Sequence, residues 1–292
     1  MSDAIYSPGL EGVIAGETAV STVDQGLLYR GYAVEDLAEH ATFEEVAYLL
    51  LWGNLPKADD LREFRQRLSA AASVPDEVID VLRSIPPEAP MMDVMRTGAS
   101  LLAHWDPDVG DNSHDANIRK AERLLARLPT VLAARARLLA GKNPLQPDPE
   151  RSLAGNFLWM LTRRAPSERA EKGLDVSFIL YAEHEFNAST FTARVIASTL
   201  ADLHSAITGA IGALKGPLHG GANERVLEVL KEVGTADQAE PWIRNALANK
   251  MRIMGFGHRV YKTGDPRAAY LKKLCAELAA ETGHEDMERM AD

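Results

Sequence analysis

The chain has 292 residues, 46% of them hydrophobic and 25% charged, with a formal net charge of −10. At that length a folded chain buries roughly three quarters of its extended surface, so no metal or disulfide is needed for stability. The single cysteine, Cys275, excludes an intramolecular disulfide framework and a cysteine-rich metal cluster, and the negative charge argues against a nucleic-acid partner.

The opening MSDAIYSPGLEG has no basic segment and no apolar core, which predicts no secretory signal. No run approaches the ~20 apolar residues that cross a bilayer. With one reduced cysteine, these features predict a cytoplasmic protein. Anionic substrates would have to be held by a few local Arg, Lys and His residues against the overall field.

Alternation around Thr18 to Val23 and Leu27 to Tyr29, broken by Gly26, predicts a small hairpin. Thereafter the sequence reads as helix after helix. Thr42 is placed as an N-cap, with Glu44 and Glu45 in the first turn, Val46, Leu49 and Leu50 on the buried face, and Gly53 and Pro56 as the stop. Pro75 and Asp76 start another helix, which Ile85-Pro86-Pro87 ends. A long amphipathic segment runs from about Asp115 to Leu139 and closes at Gly141, Asn143 and Pro144. Ile196, Leu200, Leu203 and Ile207 fall on one helical face, and small residues such as Ala193, Ala197, Ala201, Ala206 and Ala210 fill much of the rest. One continuous, central helix is expected there. Asn223 is the expected cap of a helix bearing Val226, Val229, Leu230 and Val233, and Asp265-Pro266 opens the last clear helix. The fold class is all-α, with a short N-terminal β element.

Three segments carry histidine in unusual settings: Glu183-His184-Glu185-Phe186-Asn187, Gly216-Pro217-Leu218-His219-Gly220-Gly221 and Gly255-Phe256-Gly257-His258-Arg259. A histidine framed by glycines interrupts helical and strand periodicity, and glycine lets the backbone approach a ligand closely. Taken singly each could be a turn histidine; together they point to a site. His184-Glu185 opens like a zinc-protease motif, but Ala188 stands where the second histidine belongs, so no metal is expected. No Gly-x-Ser-x-Gly elbow occurs, and Gly255-x-Gly257 lacks the third glycine of a dinucleotide fingerprint. The third segment continues through Arg259, Lys262 and Arg267, a cluster of cations before a helix that suits carboxylates and phosphate.

These segments, with Gly9-Leu10-Glu11-Gly12, Tyr29-Arg30-Gly31-Tyr32 and Phe43 to Leu50, resemble the citrate synthase family over almost the whole chain. The resemblance implies a large helical domain over residues 1–221, a smaller incomplete one over 222–292, and a homodimer. It implies condensation of acetyl-CoA with oxaloacetate as the activity, with acetyl-CoA a substrate and no cofactor. His219 matches the histidine that hydrogen-bonds the thioester oxygen, and His258 the one that polarises the oxaloacetate carbonyl. His184 and Arg267 match oxaloacetate-binding residues, Lys262 a residue on CoA phosphate, and Gly255, Phe256 and Gly257 the lining of the CoA site. The family's catalytic base is an aspartate in a Val-Asp-Phe-Tyr-like motif well beyond the Asp-Pro-Arg helix. No such motif follows Arg267, and neither Asp265 nor Asp286 matches it. The last residues, Glu288 to Asp292, still read as helix, so a truncated chain is expected, its large domain lacking the C-terminal part. Two alternatives stay open: a 2-methylcitrate synthase that uses propionyl-CoA, and a non-catalytic homologue.

Overall fold

The structure is a computed structural model and describes residues 15–24, 26–256 and 264–292, with no side chains for 223 and 224. It opens on the expected hairpin, β1 (Ser21–Thr22) and β2 (Leu28–Tyr29), to which β3 (Tyr32–Ala33) adds antiparallel. Arg30 and Gly31 turn between β2 and β3 with φ of 49° and 91°. Positive φ at both positions of a two-residue loop matches the twist of the flanking strands.

Helix α1 (Val34–His40) leads to α2 (Phe43–Trp52), whose cap is as read: the Glu45 N–H donates to Thr42 Oγ1 at 3.4 Å, and Glu45 Oε2 accepts from the Thr42 N–H at 2.7 Å. Val46 and Leu49 are buried, Leu50 is half-buried, and Gly53 ends the helix at φ 92°. Then follow α3 (Ala58–Ala71), α4 (Asp76–Ser84), α5 (Met91–Leu102) with a short 3-10 turn (Ala103–Trp105), α6 (His114–Leu139), α7 (Leu153–Thr162) and α8 (Glu168–Leu180).

The single helix expected across Ile196 to Ile207 is two: α9 (Ala188–Ala197) and α10 (Leu203–Leu214). The Ser198 and Thr199 hydroxyls donate back to the carbonyls of Val195 and Ile196, and Asp202 Oδ1 accepts from the Ser205 N–H at 2.9 Å to begin a new helix. Leu200, expected on a buried face, sits at φ 61° and is 78% exposed. The four apolar positions therefore share a face only in the linear pattern. Centrality belongs to α10, which packs between α9 and α5, whereas α9 has no buried residue. A Cβ at Gly209 would overlap Ile196 Cδ1, which shows how closely α9 and α10 approach.

Helix α11 (Gly221–Val233) starts two residues before Asn223, so Asn223 is not its cap. Next are α12 (Ala236–Ala248), α13 (Pro266–Thr282), opened as expected by the Asp265 cap and Pro266, and α14 (Glu285–Ala291). One core joins Leu27 and Tyr29 of the hairpin to α1, α2 and α8, with Tyr270, Leu271 and Leu274 of α13 against it. A second joins α4, α5 and α6 to Leu203 and Ile207 of α10. A third packs Phe64 and Leu68 of α3 on α2 and α6. Helices α11, α12 and α14 pack on one another, and α13 touches α14 on one side and α8 and α1 on the other.

Charge is buried between these helices as well. Asp106, just after the 3-10 turn, accepts from Arg123 Nε at 2.8 Å and Nη2 at 2.5 Å, and faces His204 Nε2 at 3.0 Å. The other ring nitrogen of His204 lies 3.2 Å from the Ala99 carbonyl oxygen. Arg123 also reaches Asp108, which Arg119 grips with two hydrogen bonds. Burial pushes the Asp106 carboxyl pKa up, but hydrogen bonds from Arg123 and His204 bring it below the ordinary range. The network fastens α5, α6 and α10 together.

Candidate active site

The segment between α8 and α9 is fixed from its backbone outward. The Tyr29 hydroxyl donates to the Ile179 carbonyl at 3.0 Å and accepts from the Glu183 N–H at 3.3 Å. Ser21 Oγ donates to Glu183 Oε1 at 3.1 Å and accepts from the Glu185 N–H at 3.0 Å, while Glu185 Oε1 accepts from the Val23 N–H at 3.1 Å. Glu185 is held at φ 55°. The two carboxylates beside His184 thus serve as pins that tie its loop to the hairpin. Burial raises the Glu183 carboxyl pKa, with the Ser21 and backbone hydrogen bonds opposing.

The loop ends at Asn187, whose Oδ1 accepts from the Thr190 N–H at 2.9 Å and from Ser189 Oγ at 2.6 Å. At this helix start stands His219. The Ser189 backbone N–H donates to His219 Nε2 at 3.3 Å. That fixed donor makes Nε2 the acceptor and leaves Nδ1 to carry the ring proton. The Ser189 hydroxyl, 2.9 Å from Nε2, shares its one proton between His219 and Asn187. Burial of the ring pushes the His219 pKa below its ordinary value, so the imidazole is neutral at neutral pH.

His219 is presented by the tight turn between α10 and α11, in which its N–H donates to the Gly216 carbonyl at 2.9 Å and the Gly221 N–H to the same oxygen at 3.2 Å. A Cβ at Gly220 would stand 2.9 Å from the Leu214 carbonyl oxygen, and one at Gly221 would overlap the Lys215 carbonyl oxygen. The glycines after His219, read from sequence as room for a ligand, are required by the turn itself. Their effect on the site is indirect: they allow the reversal that brings His219 to Ser189.

Arg267, the second residue of α13, donates from Nε to Asp265 Oδ1 at 2.9 Å and from Nη2 to Asp265 Oδ2 at 2.6 Å. Its guanidinium lies 5.5 Å from the ring centroid of Tyr181, at the start of the His184 segment. Residues 181–189 therefore gather three of the expected side chains: His184 within them, Arg267 through Tyr181 and His219 through Ser189. Gly255 sits at φ 92°, where a Cβ would stand 2.9 Å from Val226 Cγ2, and Phe256 is 72% exposed. Gly257, His258 and Lys262 lie outside the described residues. Sequence reasoning missed Ser189 and Tyr181 altogether and gave Asn187 no role. Its Asn-x-Ser-Thr context was the available signal, because Asn before a helix start is a capping residue whose neighbours have free backbone donors.

The neutral, donor-bearing state of His219 has a pH consequence. Any chemistry that uses it is expected to fall away in acid, with an apparent pKa below 6.5, the ordinary histidine value. The sign follows from a depressed pKa: the neutral form predominates above 6.5 and is lost as pH drops through the lower folded value. An NMR titration of the His219 ring checks this, and a midpoint above 6.5 would contradict it.

No helix among the described residues is long and apolar enough to cross a membrane. Residues 9–292 match the model of the citrate synthase C-terminal domain family. Among curated proteins, the chain is 47% identical to citrate synthase 2 of Bacillus subtilis over 277 residues, covering 94% of this chain and 74% of that one. It is 51% identical over 283 residues to 2-methylcitrate synthase 2 of Corynebacterium glutamicum, covering 93% of this chain and 73% of that one. Among solved structures, citrate synthase of Thermoplasma acidophilum, in ternary complex with carboxymethyl coenzyme A and oxaloacetate, superposes with a TM-score of 0.92 at 34% identity. That superposition covers 98% of this chain and 77% of the other. A family match running from residue 9 to residue 292, with backbone agreement of this order, makes the chain a member of the citrate synthase family.

Proposed function

We propose that this chain supplies the donor side of an active site that condenses acetyl-CoA with oxaloacetate and water to give citrate and CoA. The observation that carries the reading is His219: half-buried, neutral, fixed by Ser189 and left with Nδ1–H as its donor. Removing a proton alpha to a thioester builds charge on the thioester oxygen, and a preorganised neutral donor stabilises that charge without reorganising. In this reading His258 polarises the oxaloacetate carbonyl and delivers a proton as the carbon–carbon bond forms. His184 and Arg267 hold oxaloacetate, and Lys262 with Gly255, Phe256 and Gly257 receives CoA.

The base belongs to the proposal too. Of the two aspartates nearest in sequence, the Asp286 side chain is 91% exposed and paired with Arg289, and Asp265, just before Arg267, is occupied by Arg267. Neither is assigned the role, so the 292 residues are expected to show little turnover by themselves. A division near residue 221 into a large and a small helical domain, a homodimer, a cytoplasmic setting and a place at the entry of the tricarboxylic acid cycle complete the reading. A second reading, 2-methylcitrate synthesis from propionyl-CoA, has support of the same order, from relatives of that name at 51% and 46% identity beside the citrate synthase at 47%. One extra methylene changes binding by only ~1–3 kcal/mol in a pocket, so the two activities are close.

One assay addresses both points. Thiol release with oxaloacetate is measured for this chain and for a version completed at its C-terminal side with the matching segment of the Bacillus subtilis relative. Turnover by the completed version, with acetyl-CoA preferred, is expected. A strong propionyl-CoA preference would overturn the first reading, and normal turnover by the 292-residue chain would overturn the proposal that these residues do not include the base.

A further inference from the structure

The turn that carries His219 has an anchor that none of the assigned roles uses. Lys215 closes α10, and its Nζ lies 2.6 Å and 2.8 Å from the two carboxylate oxygens of Asp93. Asp93 is the third residue of α5, and Arg96, one turn on, reaches the same carboxylate at 2.9 Å. The end of α10 thus meets the start of α5, and each charge sits at the helix terminus whose dipole favours it. The Lys215 hydrogen bond, followed by its charge and that of Arg96, holds the Asp93 carboxyl below the ordinary range. Lys215 cannot shift alone. Its carbonyl oxygen occupies the space a Cβ on Gly221 would need, and the Gly216 carbonyl accepts from both His219 and Gly221. Residues 215 to 221 are therefore tightly cross-connected, and the turn they form is fastened at one end to Asp93 and at the other to Ser189 through the imidazole.

We infer that the Asp93–Lys215 ion pair is a positioning element that sets the depth and tautomer of His219. The inference deepens the proposed function, on whose reading of His219 its catalytic meaning rests. Neither side chain need touch substrate; their effect passes through the turn. The ion pair suits this task because its two oxygens fix Lys215 laterally, where apolar packing would allow the turn to slide.

The test compares Lys215→Met, Asp93→Asn, the double variant and Lys215→Arg by nitrogen NMR of histidine-labelled protein. The unaltered chain is expected to show His219 as one tautomer with Nδ1 protonated. Lys215→Met and Asp93→Asn should each give averaged ring signals and faster acylation by diethylpyrocarbonate, Lys215→Arg should restore the single tautomer, and the double variant should be no worse than either single one. In the completed version, kcat is expected to fall about ten-fold with the KM for oxaloacetate unchanged, since misplacement costs rate before binding. Unaltered His219 signals in both single variants, with only a lower Tm, would overturn the inference and leave the pair a helix–helix staple. Altered ring signals with undiminished turnover would uphold the positioning while removing His219 from the chemistry, so the two claims fail separately.

Discussion

Replacing His219 with alanine in the completed version is expected to lower kcat by about 10³-fold, the size associated with losing one preorganised donor to a developing oxyanion. The reasoning is geometric. Ser189 commits Nε2 as an acceptor, so the proton on Nδ1 is the ring's one donor, and alanine removes it together with the buried surface that keeps the ring neutral. His219→Gln should retain more activity than His219→Ala, because an amide can still offer an N–H although it cannot match the ring's position. Circular dichroism should show both variants folded, since the turn is held by backbone hydrogen bonds to Gly216 and by the glycine contacts, none of which involve the imidazole. A loss smaller than about tenfold for the alanine variant would exclude the assigned role, because a factor of ten corresponds to only ~1.4 kcal/mol of barrier.

The largest expected loss of stability lies elsewhere. Asp106→Ala would leave Arg123, only 15% exposed, and His204, 1% exposed, buried without their shared carboxylate. Breaking a buried charge network by removing one partner typically costs ~3–5 kcal/mol, far more than an exposed ion pair contributes. Urea denaturation of the chain should show that loss, and Asp106→Asn, which keeps one acceptor oxygen, should lose less. The pH dependence has a definite sign. The Asp106 carboxyl is depressed below its ordinary 3.8, so its stabilisation is present above 3.8 and is lost as pH falls through the lower folded value. A loss below ~1 kcal/mol for the alanine variant would mean that water or Asp108 replaces the carboxylate, and the network would then be dispensable.

Local chemistry made parts of this fold legible in advance. The Thr42 capping box, the Pro75 start and the Asp265-Pro266 opening are decided by residues within one helical turn, and all three stand where the residues put them. What failed had rivals nearby. The face from Ile196 to Ile207 satisfied helical spacing, but the Asp202 side chain offered the backbone a fresh start and the chain took it. The third strand was overlooked because two residues carry too little periodicity to register, although Arg30-Gly31 supplied the turn. At the site, histidine between glycines was a sound pointer to His219 for a partly wrong reason, since the glycines relieve crowding in the turn. The Ser189 contact was invisible because it joins residues 30 apart through a fold not yet known.

The pins on the His184 loop also bear on the order in which the molecule is assembled. Ser21 and Glu183 are 162 residues apart, so the segment that gathers His184, Arg267 and His219 is fixed by a contact of very long sequence separation. Closing so large a loop costs entropy before any contact is gained, and such contacts form late. Helices of local origin, such as α3 and α6, can be in place while this loop is still loose. Chain removed from the N-terminus as far as Val23 would take away none of the proposed site residues, yet would release Glu183 from Ser21 and Glu185 from both Ser21 and Val23. A two-residue strand and the residue after it thus fasten the segment that gathers three of the proposed site residues, which makes Ser21 and Val23 a condition for a site to which they contribute no side chain.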